Sequence, residues 1–121
     1  MWKGKKVSVV FSTYNEKDSV RECIENLFKT KYVDEVIAVD NNAVKGTGEE
    51  ILKTKAKYFH EPKQGFGWGY RRALYESTGD LIIMIEPDGT FDSNDIIKFL
   101  AYSDNFDVVF GTRTTSIMIG E

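Results

Sequence analysis

The stretch that decides the fold is Gly79-Asp80-Leu81-Ile82-Ile83-Met84-Ile85-Glu86-Pro87-Asp88-Gly89. Residues 81–85 form an uninterrupted apolar run, which is typical of a strand buried on both faces of a parallel sheet. Two acidic residues, Glu86 and Asp88, follow this run, and Pro87 restricts the backbone between them. The stretch therefore predicts a buried strand that delivers a pair of carboxylates to one edge of a sheet.

Strand and helix patterns alternate along the rest of the chain. Short apolar or β-rich runs predict four further strands, at residues 7–11, 36–39, 58–60 and 108–110. Helical spacing of apolar residues predicts helices at 17–29, 47–56 and 67–77, and a fourth that begins at Asn94 or Asp95. Strict alternation with short connections favours parallel strands, right-handed crossovers and helices on both faces of the sheet. The predicted fold class is therefore α/β, with a mostly parallel sheet.

Length, charge and cysteine content limit the number of domains, the class of ligand and the cellular compartment that we expect. The chain has 121 residues, which predicts a single domain over 1–121. A net charge of −3 excludes the basic surface typical of nucleic-acid-binding proteins. Cys23 is the single cysteine, so no internal disulfide forms, and we expect a cytoplasmic protein. The apolar residues 117–119 near the last residue indicate the N-terminal part of a longer protein. They also favour a homodimer, and segments not present here could give peripheral membrane association.

The segments that follow the predicted strands are the expected place for chemistry, because ligands of open α/β sheets bind beyond the carboxyl ends of the strands. These segments are 12–16, 40–42, 61–65, 86–89 and 111–113. Four of them contain an acidic residue, and the last contains Arg113. Acidic residues also cap helices, and Pro-Asp-Gly is a favoured turn. The coincidence of all five segments favours a binding site over separate structural roles.

The carboxylates themselves suggest a cation and a nucleotide. Glu86 and Asp88 are the kind of oxygen ligands that a hard divalent cation prefers. Tyr14 could present its ring to a nucleobase, and Glu16 could accept hydrogen bonds from ribose hydroxyls. The structural alternative for Glu16 is a favourable position near the start of a helix that Asn15 or Thr13 caps.

Two further segments have both a functional and a structural interpretation. Asp40 could contact a base or ribose, or it could form an Asx turn with the asparagines that follow it. The glycine-rich residues 65–72 open a helix and could allow close approach to a diphosphate. Their spacing does not match a dinucleotide-binding fingerprint or a phosphate-binding P-loop. His60 has no partner at metal-ligand spacing, so a structural role is favoured for it.

Taken together, these motifs resemble family 2 glycosyltransferases over nearly the whole chain. Residues 9–16 (VVFSTYNE) resemble the opening motif of that family, and residues 36–42 (VIAVDNN) resemble its second motif. Residues 64–67 look like its glycine segment, and residues 79–91 resemble its Asp-x-Asp metal motif. Residues 108–113 are similar to the Gly-Ser/Thr-Arg segment of the dolichyl-phosphate mannose synthase branch.

The resemblance implies the GT-A fold, a UDP- or GDP-sugar donor and a Mg²⁺ or Mn²⁺ cofactor. It also implies a role for particular residues: nucleotide binding for Ser12, Tyr14, Glu16, Asp40, Gln64, Gly65 and Gly67, metal binding for Glu86 and Asp88, and catalysis for Asp88 and Arg113. Two positions depart from the pattern. Glu86 stands where aspartate is usual, and Thr90 stands where the mannose synthase branch often has glutamine.

The function that follows from the resemblance is metal-dependent, inverting transfer of a sugar from the nucleotide to an acceptor, either a polyprenyl phosphate or a saccharide. One alternative is a fragment that binds the nucleotide-sugar without turnover. Another is a sugar nucleotidyltransferase, but residues 12–16 lack the Arg- and Lys-containing glycine-rich loop which that class needs.

Overall fold

The computed structural model describes residues 1–89, 92–104, 108–110 and 118–120. Strands and helices alternate as predicted from β1 to β5. The strands are β1 (Val7–Thr13), β2 (Glu35–Asp40), β3 (Lys57–His60), β4 (Leu81–Met84), β5 (Val108–Phe110) and β6 (Met118–Gly120). The helices are α1 (Lys17–Lys29), α2 (Thr47–Leu52), α3 (Phe66–Glu76) and α4 (Asp95–Ser103). Helix α2 is four residues shorter than predicted, because its last turn closes through the bond from Thr54 N–H to the Ile51 carbonyl.

Strands β1 to β4 form a parallel sheet in the order β3-β2-β1-β4. In this sheet Thr13 lies beside Asp40, and Asp40 lies beside His60. On the other side of β1, Val10 lies beside Met84. The carboxyl ends of the four strands therefore reach the same edge of the sheet, which is the edge that the sequence predicts to carry the chemistry.

Strand β5 does not extend this parallel sheet as predicted. Within the described residues its ladder is antiparallel and joins it to β6, with Val109 opposite Ile119. Antiparallel neighbours can be joined by a short connection, whereas parallel neighbours need a crossover of a dozen or more residues. Seven residues separate β5 from β6, which is too few for a crossover. The sequence prediction of five side-by-side parallel strands was therefore wrong for the fifth.

Helices cover both faces of the four-stranded sheet. On one face, Val7, Val9 and Phe11 of β1 pack against buried residues of α1, α2 and α4. On the other face, Val10 packs with residues of β2 and with Ala73 of α3. Strand β1 is buried along its whole length, since it lies inside the sheet with helices on both sides.

Some apolar residues of the predicted elements are exposed. Leu52 of α2 and Leu74 of α3 are 66% and 40% exposed. Ile82 is 42% exposed, so β4 is not buried on both faces within the described structure. Ile97 and Tyr102 of α4 are also exposed, whereas Ile96, Phe99 and Leu100 of the same helix are buried.

Gly69 sets the distance between α3 and β1. A Cβ atom at this position would lie 2.0 Å from Ser12 Oγ and 2.7 Å from Ser12 Cβ. The hydroxyl could rotate away, but the Ser12 Cβ is fixed to a buried strand. Only glycine therefore allows the helix to approach the end of β1 this closely.

We expect Gly69→Ala to lower the free energy of unfolding by about 2 kcal/mol, because overpacking costs about 1–3 kcal/mol and the gain in helix propensity offsets only part of it. Urea unfolding measures the change. Gly67→Ala is the matched control, since its Cβ would meet no atom within 4 Å, and it should be neutral or slightly stabilising. Adding Ser12→Gly to Gly69→Ala should restore part of the loss. Equal stabilities of the two alanine variants would contradict this account.

The opposite edge of the sheet is fixed by a buried carboxylate. Glu35, at the start of β2, is 4% exposed. Its two oxygens accept hydrogen bonds from Lys57 Nζ at 2.6 Å, Ser8 Oγ at 2.6 Å, Thr78 N at 2.9 Å and Thr78 Oγ1 at 2.9 Å. Because these donors come from β3, β1 and the segment before β4, one side chain of β2 joins two neighbouring strands and the chain that enters the fourth.

Candidate functional site

A cavity of about 500 Å³ opens at the carboxyl edge of the sheet. Its volume lies in the range that small-molecule sites usually have. The walls come from the end of β1, the loops that follow β1, β2, β3 and β4, and the first part of α3. The lining residues are Ser12, Thr13, Tyr14, Asn15, Glu16, Asn41, Gln64, Phe66, Tyr70, Glu86, Pro87 and Asp88.

The acidic pair after β4 faces this cavity together with a third carboxylate. Glu86, Asp88 and Glu16 all line it, although Glu16 lies more than sixty residues earlier in the chain. Their negative charges act at the same place, since all three raise the pKa of the Tyr70 hydroxyl. The cavity therefore has an acidic wall, which attracts a cation.

The donor set fits a divalent cation that a bound diphosphate helps to coordinate. Within the described residues, no three acidic, histidine or cysteine side chains form a complete metal cluster. Mg²⁺ in phosphate-binding sites is usually held by one or two carboxylates, with phosphate oxygens and waters completing the shell. Glu86 and Asp88 would supply those carboxylates, and the cavity has space for the phosphates.

The loop between β1 and α1 is shaped by the Glu16 carboxylate. Glu16 Oε2 accepts a hydrogen bond from Asn15 N–H at 2.7 Å, and both carboxylate oxygens lie 3.3 Å from Tyr14 N. Glu16 is itself the N-cap residue of α1, and its side chain makes no cap hydrogen bond. The predicted caps, Asn15 and Thr13, were wrong, because the carboxylate turns back to the loop and the Thr13 hydroxyl donates to the Val39 carbonyl instead.

Tyr14 and Ser12 lie on either side of the β1 terminus. Tyr14 is 56% exposed and Ser12 is 9% exposed, and both line the cavity. The Tyr14 ring is therefore available at the cavity wall, whereas Ser12 lies deeper and packs against Gly69. Their predicted roles at the nucleotide stay predictions.

Asp40 is not among the lining residues and has structural partners. One carboxylate oxygen accepts from Ala43 N–H at 2.8 Å, which is the Asx turn given above as its structural alternative. The other accepts from Tyr58 Oη at 2.7 Å. Burial, together with Asp40, raises the pKa of Tyr58 to about 12, so this tyrosine stays a donor. Contact between Asp40 and a nucleoside stays a prediction.

Asn41, the next residue, organises the loop after β3. Its side chain is buried and donates to the carbonyls of Glu61 and Lys63 at 3.1 and 2.7 Å. Its Oδ1 accepts from Gly65 N–H at 2.9 Å. Sequence reasoning assigned Asn41 only to a turn. Its three bonds place residues 61–65 beside the cavity, which a pattern of two asparagines does not reveal.

The glycine segment contributes differently at each position. Gln64 and Phe66 line the cavity. Gly65 has φ 133°, a conformation that favours glycine, and it precedes the first residue of α3. Gly67 does not line the cavity, and it forms a separate shallow hollow with Trp68 and Arg71. Nucleotide binding by Gln64, Gly65 and Gly67 stays a prediction.

Tyr70 joins α3 to the acidic segment. It is 6% exposed, and its hydroxyl donates to the Ile85 carbonyl, one residue before Glu86. Burial raises the pKa of Tyr70 far above its ordinary value, and the nearby carboxylates raise it further, while a backbone hydrogen bond with Ser12 acts in the opposite direction. Tyr70 is therefore a core residue that also lines the cavity.

The remaining candidates do not line the cavity or lie outside the described residues. The pKa of Cys23 is raised to about 12, first by burial and then by Asp88, so this thiol stays protonated and unreactive at neutral pH. His60 Nε2 lies 3.3 Å from Asn42 Oδ1, which agrees with its predicted structural role. Arg113 and its neighbours 111–112 lie outside the described residues, so its role stays a prediction.

Comparison with solved structures defines the class of fold. Glucosyl-3-phosphoglycerate synthase of Mycobacterium tuberculosis, solved with Mn²⁺, UDP and glucosyl-3-phosphoglycerate, superposes with a TM-score of 0.74 and 20% identity, over 83% of this chain and 40% of that one. Mannosyl-3-phosphoglycerate synthase of Rubrobacter xylanophilus gives a TM-score of 0.75 and 23% identity, over 83% and 36%. The chain therefore has the GT-A fold that the sequence predicted.

The sequence comparison gives the family. The model of glycosyl transferase family 2 matches residues 8–119, and this chain belongs to that family. Helices in the described part of the chain are all too short or too polar to cross a bilayer.

Comparison with individual proteins gives three relatives that differ in length from this chain. An uncharacterized glycosyltransferase of M. tuberculosis is 28% identical over 91% of this chain and 50% of its own length. The low-salt glycan biosynthesis hexosyltransferase Agl6 of Haloferax volcanii is 29% identical over 88% and 27%. Protein RfbJ of Shigella flexneri is 27% identical over 93% and 89%. The chain thus spans about half the length of the mycobacterial relative.

Proposed function

We propose that this chain forms the donor-binding part of a metal-dependent, inverting glycosyltransferase that uses a UDP- or GDP-sugar. The observation that carries the proposal is the convergence of Glu16, Glu86 and Asp88 on one cavity at the carboxyl edge of the sheet. The exposed Tyr14 ring beside these carboxylates supports a site that takes a base at one side and a diphosphate at the other. Membership of family 2 supports the reaction class.

In the proposed reaction, the chain orients the donor and neutralises the charge that leaves with it. Glu86 and Asp88 would hold Mg²⁺ or Mn²⁺, which as a Lewis acid stabilises the departing nucleoside diphosphate. Ser12, Tyr14 and Glu16 would hold the nucleoside, so that the anomeric carbon faces the acceptor. Asp88 would thus serve both binding and catalysis, and Arg113 would pair with a phosphate.

We further propose that the acceptor is a phosphate, such as a polyprenyl phosphate. A phosphate oxygen is already anionic, whereas a hydroxyl acceptor needs a general base to remove its proton. With a phosphate acceptor, the described carboxylates would therefore only need to hold the cation, and none of them would have to act as a general base. Turnover with undecaprenyl phosphate but not with a free saccharide is the expected result, and the reverse preference would contradict this part of the proposal.

Donor binding should require a divalent cation. We expect isothermal titration to show that UDP-glucose or GDP-mannose binds at least tenfold more tightly with Mn²⁺ than with EDTA, because the carboxylate-lined wall repels a diphosphate unless a cation lies between them. At a ligand concentration of a hundred times Kd, the matching stabilisation of the fold is about 2.7 kcal/mol. A thermal-shift screen of nucleotide-sugars measures it.

Two other results of the same titration, and one result of a turnover assay, are informative. NAD⁺ is the control for a dinucleotide site, and it should not bind. Equal affinity of every nucleotide-sugar with and without metal would contradict the proposal. Tight, metal-dependent binding without turnover on any acceptor would favour the alternative of a binding module that needs further chain, which the greater length of the mycobacterial relative also supports.

A further inference from the structure

The acidic segment after β4 is held by two side-chain hydrogen bonds from different helices. Tyr70 of α3 donates its hydroxyl proton to the Ile85 carbonyl. Ser19 of α1 donates to the Pro87 carbonyl at 2.8 Å. The two bonded carbonyls alternate with the two carboxylates, so each acidic residue has a fixed peptide group before it.

The sheet itself holds only the beginning of this segment. Ile85 N–H donates to the Val10 carbonyl at 3.2 Å, one residue beyond the end of β4. The Tyr70 and Ser19 bonds then act at residues 85 and 87, where the chain has left the ladder. Tyr70 and Pro87 are both buried, so the donor from α3 is enclosed and the proline between the carboxylates is packed against the protein.

The Ser19 hydroxyl lies near two backbone carbonyls, and the closer one belongs to the acidic segment. Its hydroxyl lies 2.8 Å from the Pro87 carbonyl and 3.3 Å from the carbonyl of Glu16 in its own helix. A serine in a helix commonly bonds its own backbone. The shorter bond to Pro87 instead connects the first turn of α1 to the β4 terminus.

We propose that Tyr70 and Ser19 are positioning residues that fix the Glu86 and Asp88 carboxylates relative to each other and thereby determine which divalent cation the site accepts. This inference rests on the proposed function. Residues that orient metal ligands typically change metal affinity 10–100-fold when they are removed. Mg²⁺ requires near-ideal octahedral geometry at short distances, whereas Ca²⁺ tolerates a looser and larger site. A segment freed from its two bonds should therefore lose Mg²⁺ more than Ca²⁺.

The test measures Mn²⁺ binding to the full chain by electron paramagnetic resonance, with and without UDP, followed by displacement with Mg²⁺ or Ca²⁺. We expect Tyr70→Phe and Ser19→Ala each to raise the Mn²⁺ dissociation constant about tenfold and to lower the preference for Mg²⁺ over Ca²⁺ by a similar factor. Tyr75→Phe and Ser77→Ala are matched controls on α3 and at its end. Tyr75 is 82% exposed, and Ser77 bonds Leu74 of its own helix.

The outcomes separate this inference from the function on which it rests. If the wild-type chain binds no Mn²⁺ in either condition, both are overturned. If it binds Mn²⁺ and both variants keep the wild-type Mg²⁺ to Ca²⁺ preference, only the positioning role is overturned. Urea unfolding identifies a variant that fails to fold, and the preference ratio of the other variant then decides. A purely structural role would lower the amount of folded protein without changing this ratio.

Discussion

Asp88→Asn should abolish metal-dependent binding of the nucleotide-sugar. We expect a loss of affinity of about 100-fold or more in the presence of Mn²⁺, because neutralising a ligand removes several kcal/mol of charge interaction and each 1.4 kcal/mol corresponds to a factor of about ten. The side chain keeps its size, so the fold should be unaffected. Isothermal titration of wild type and variant, each with Mn²⁺ and with EDTA, measures the loss.

The control for this substitution is Asp104→Asn. Asp104 lies at the end of α4, where it accepts hydrogen bonds from Trp2 and Lys3, beside the start of β1 and away from the cavity. Loss of such a surface pair should cost little stability and leave donor affinity unchanged. If Asp88→Asn retained the wild-type affinity, the assignment of the cation to the β4 terminus would have to be abandoned.

Glu35→Gln should lower the free energy of unfolding by about 3 kcal/mol at neutral pH. Burial by itself would raise the pKa of Glu35, but hydrogen bonds from Lys57, Ser8 and Thr78 outweigh it and lower the pKa from 4.5 to about 2. A shift of that size corresponds to about 3 kcal/mol of preferential stabilisation of the ionised form in the folded state. Glutamine keeps the shape but places an NH₂ group against donors, which leaves them unsatisfied.

The contribution of Glu35 to the free energy of unfolding depends on pH, and its direction follows from the lowered pKa. The folded-state pKa lies below the unfolded value, so the stabilisation is fully present above about pH 4.5 and is lost as the pH falls towards 2. Urea unfolding at pH 7 and pH 3 should therefore show a smaller acid sensitivity in Glu35→Gln than in wild type. Glu22→Gln, on the exposed face of α1, should behave like wild type. Equal acid sensitivity in all three proteins would rule out a special role for Glu35.

The arrangement of strands and helices could be predicted because it depends on local patterns. The helix at 17–29 was predicted with both of its ends, since its apolar residues recur at helical spacing and polar residues surround them. The parallel direction of the first four strands followed from the alternation of strands and helices alone. The helix at 47–56 was predicted too long, because its periodicity continues after the backbone has left the helix at Leu52.

The acidic wall could also be predicted, since it needs only the rule that carboxyl ends of parallel strands share an edge. Glu86, Asp88 and Glu16 follow strands β4 and β1, which are neighbours in the sheet. The contacts that hold this wall could not be predicted. Whether the Tyr70 hydroxyl reaches Ile85, or Asn41 reaches Gly65, depends on distances between segments far apart in the chain.

The strand that pairs with β5 could not be predicted from the sequence, for a similar reason. A short apolar run identifies a strand, but it does not identify the strand that pairs with it. Val109 pairs with Ile119, whereas the apolar residues 117–119 were predicted to favour a homodimer.

The position of β1 has a consequence for how the protein is made. Strand β1 is synthesised before β4, which flanks it on one side with Leu81 beside Val7. At synthesis rates of 5–20 residues per second, that side stays uncovered for roughly 4–15 s, and during this time its unpaired backbone is a template for aggregation. Glu86 and Asp88 are translated immediately after the strand that covers it. The nascent chain therefore completes its acidic wall only after the strand that covers this side of β1 has been made.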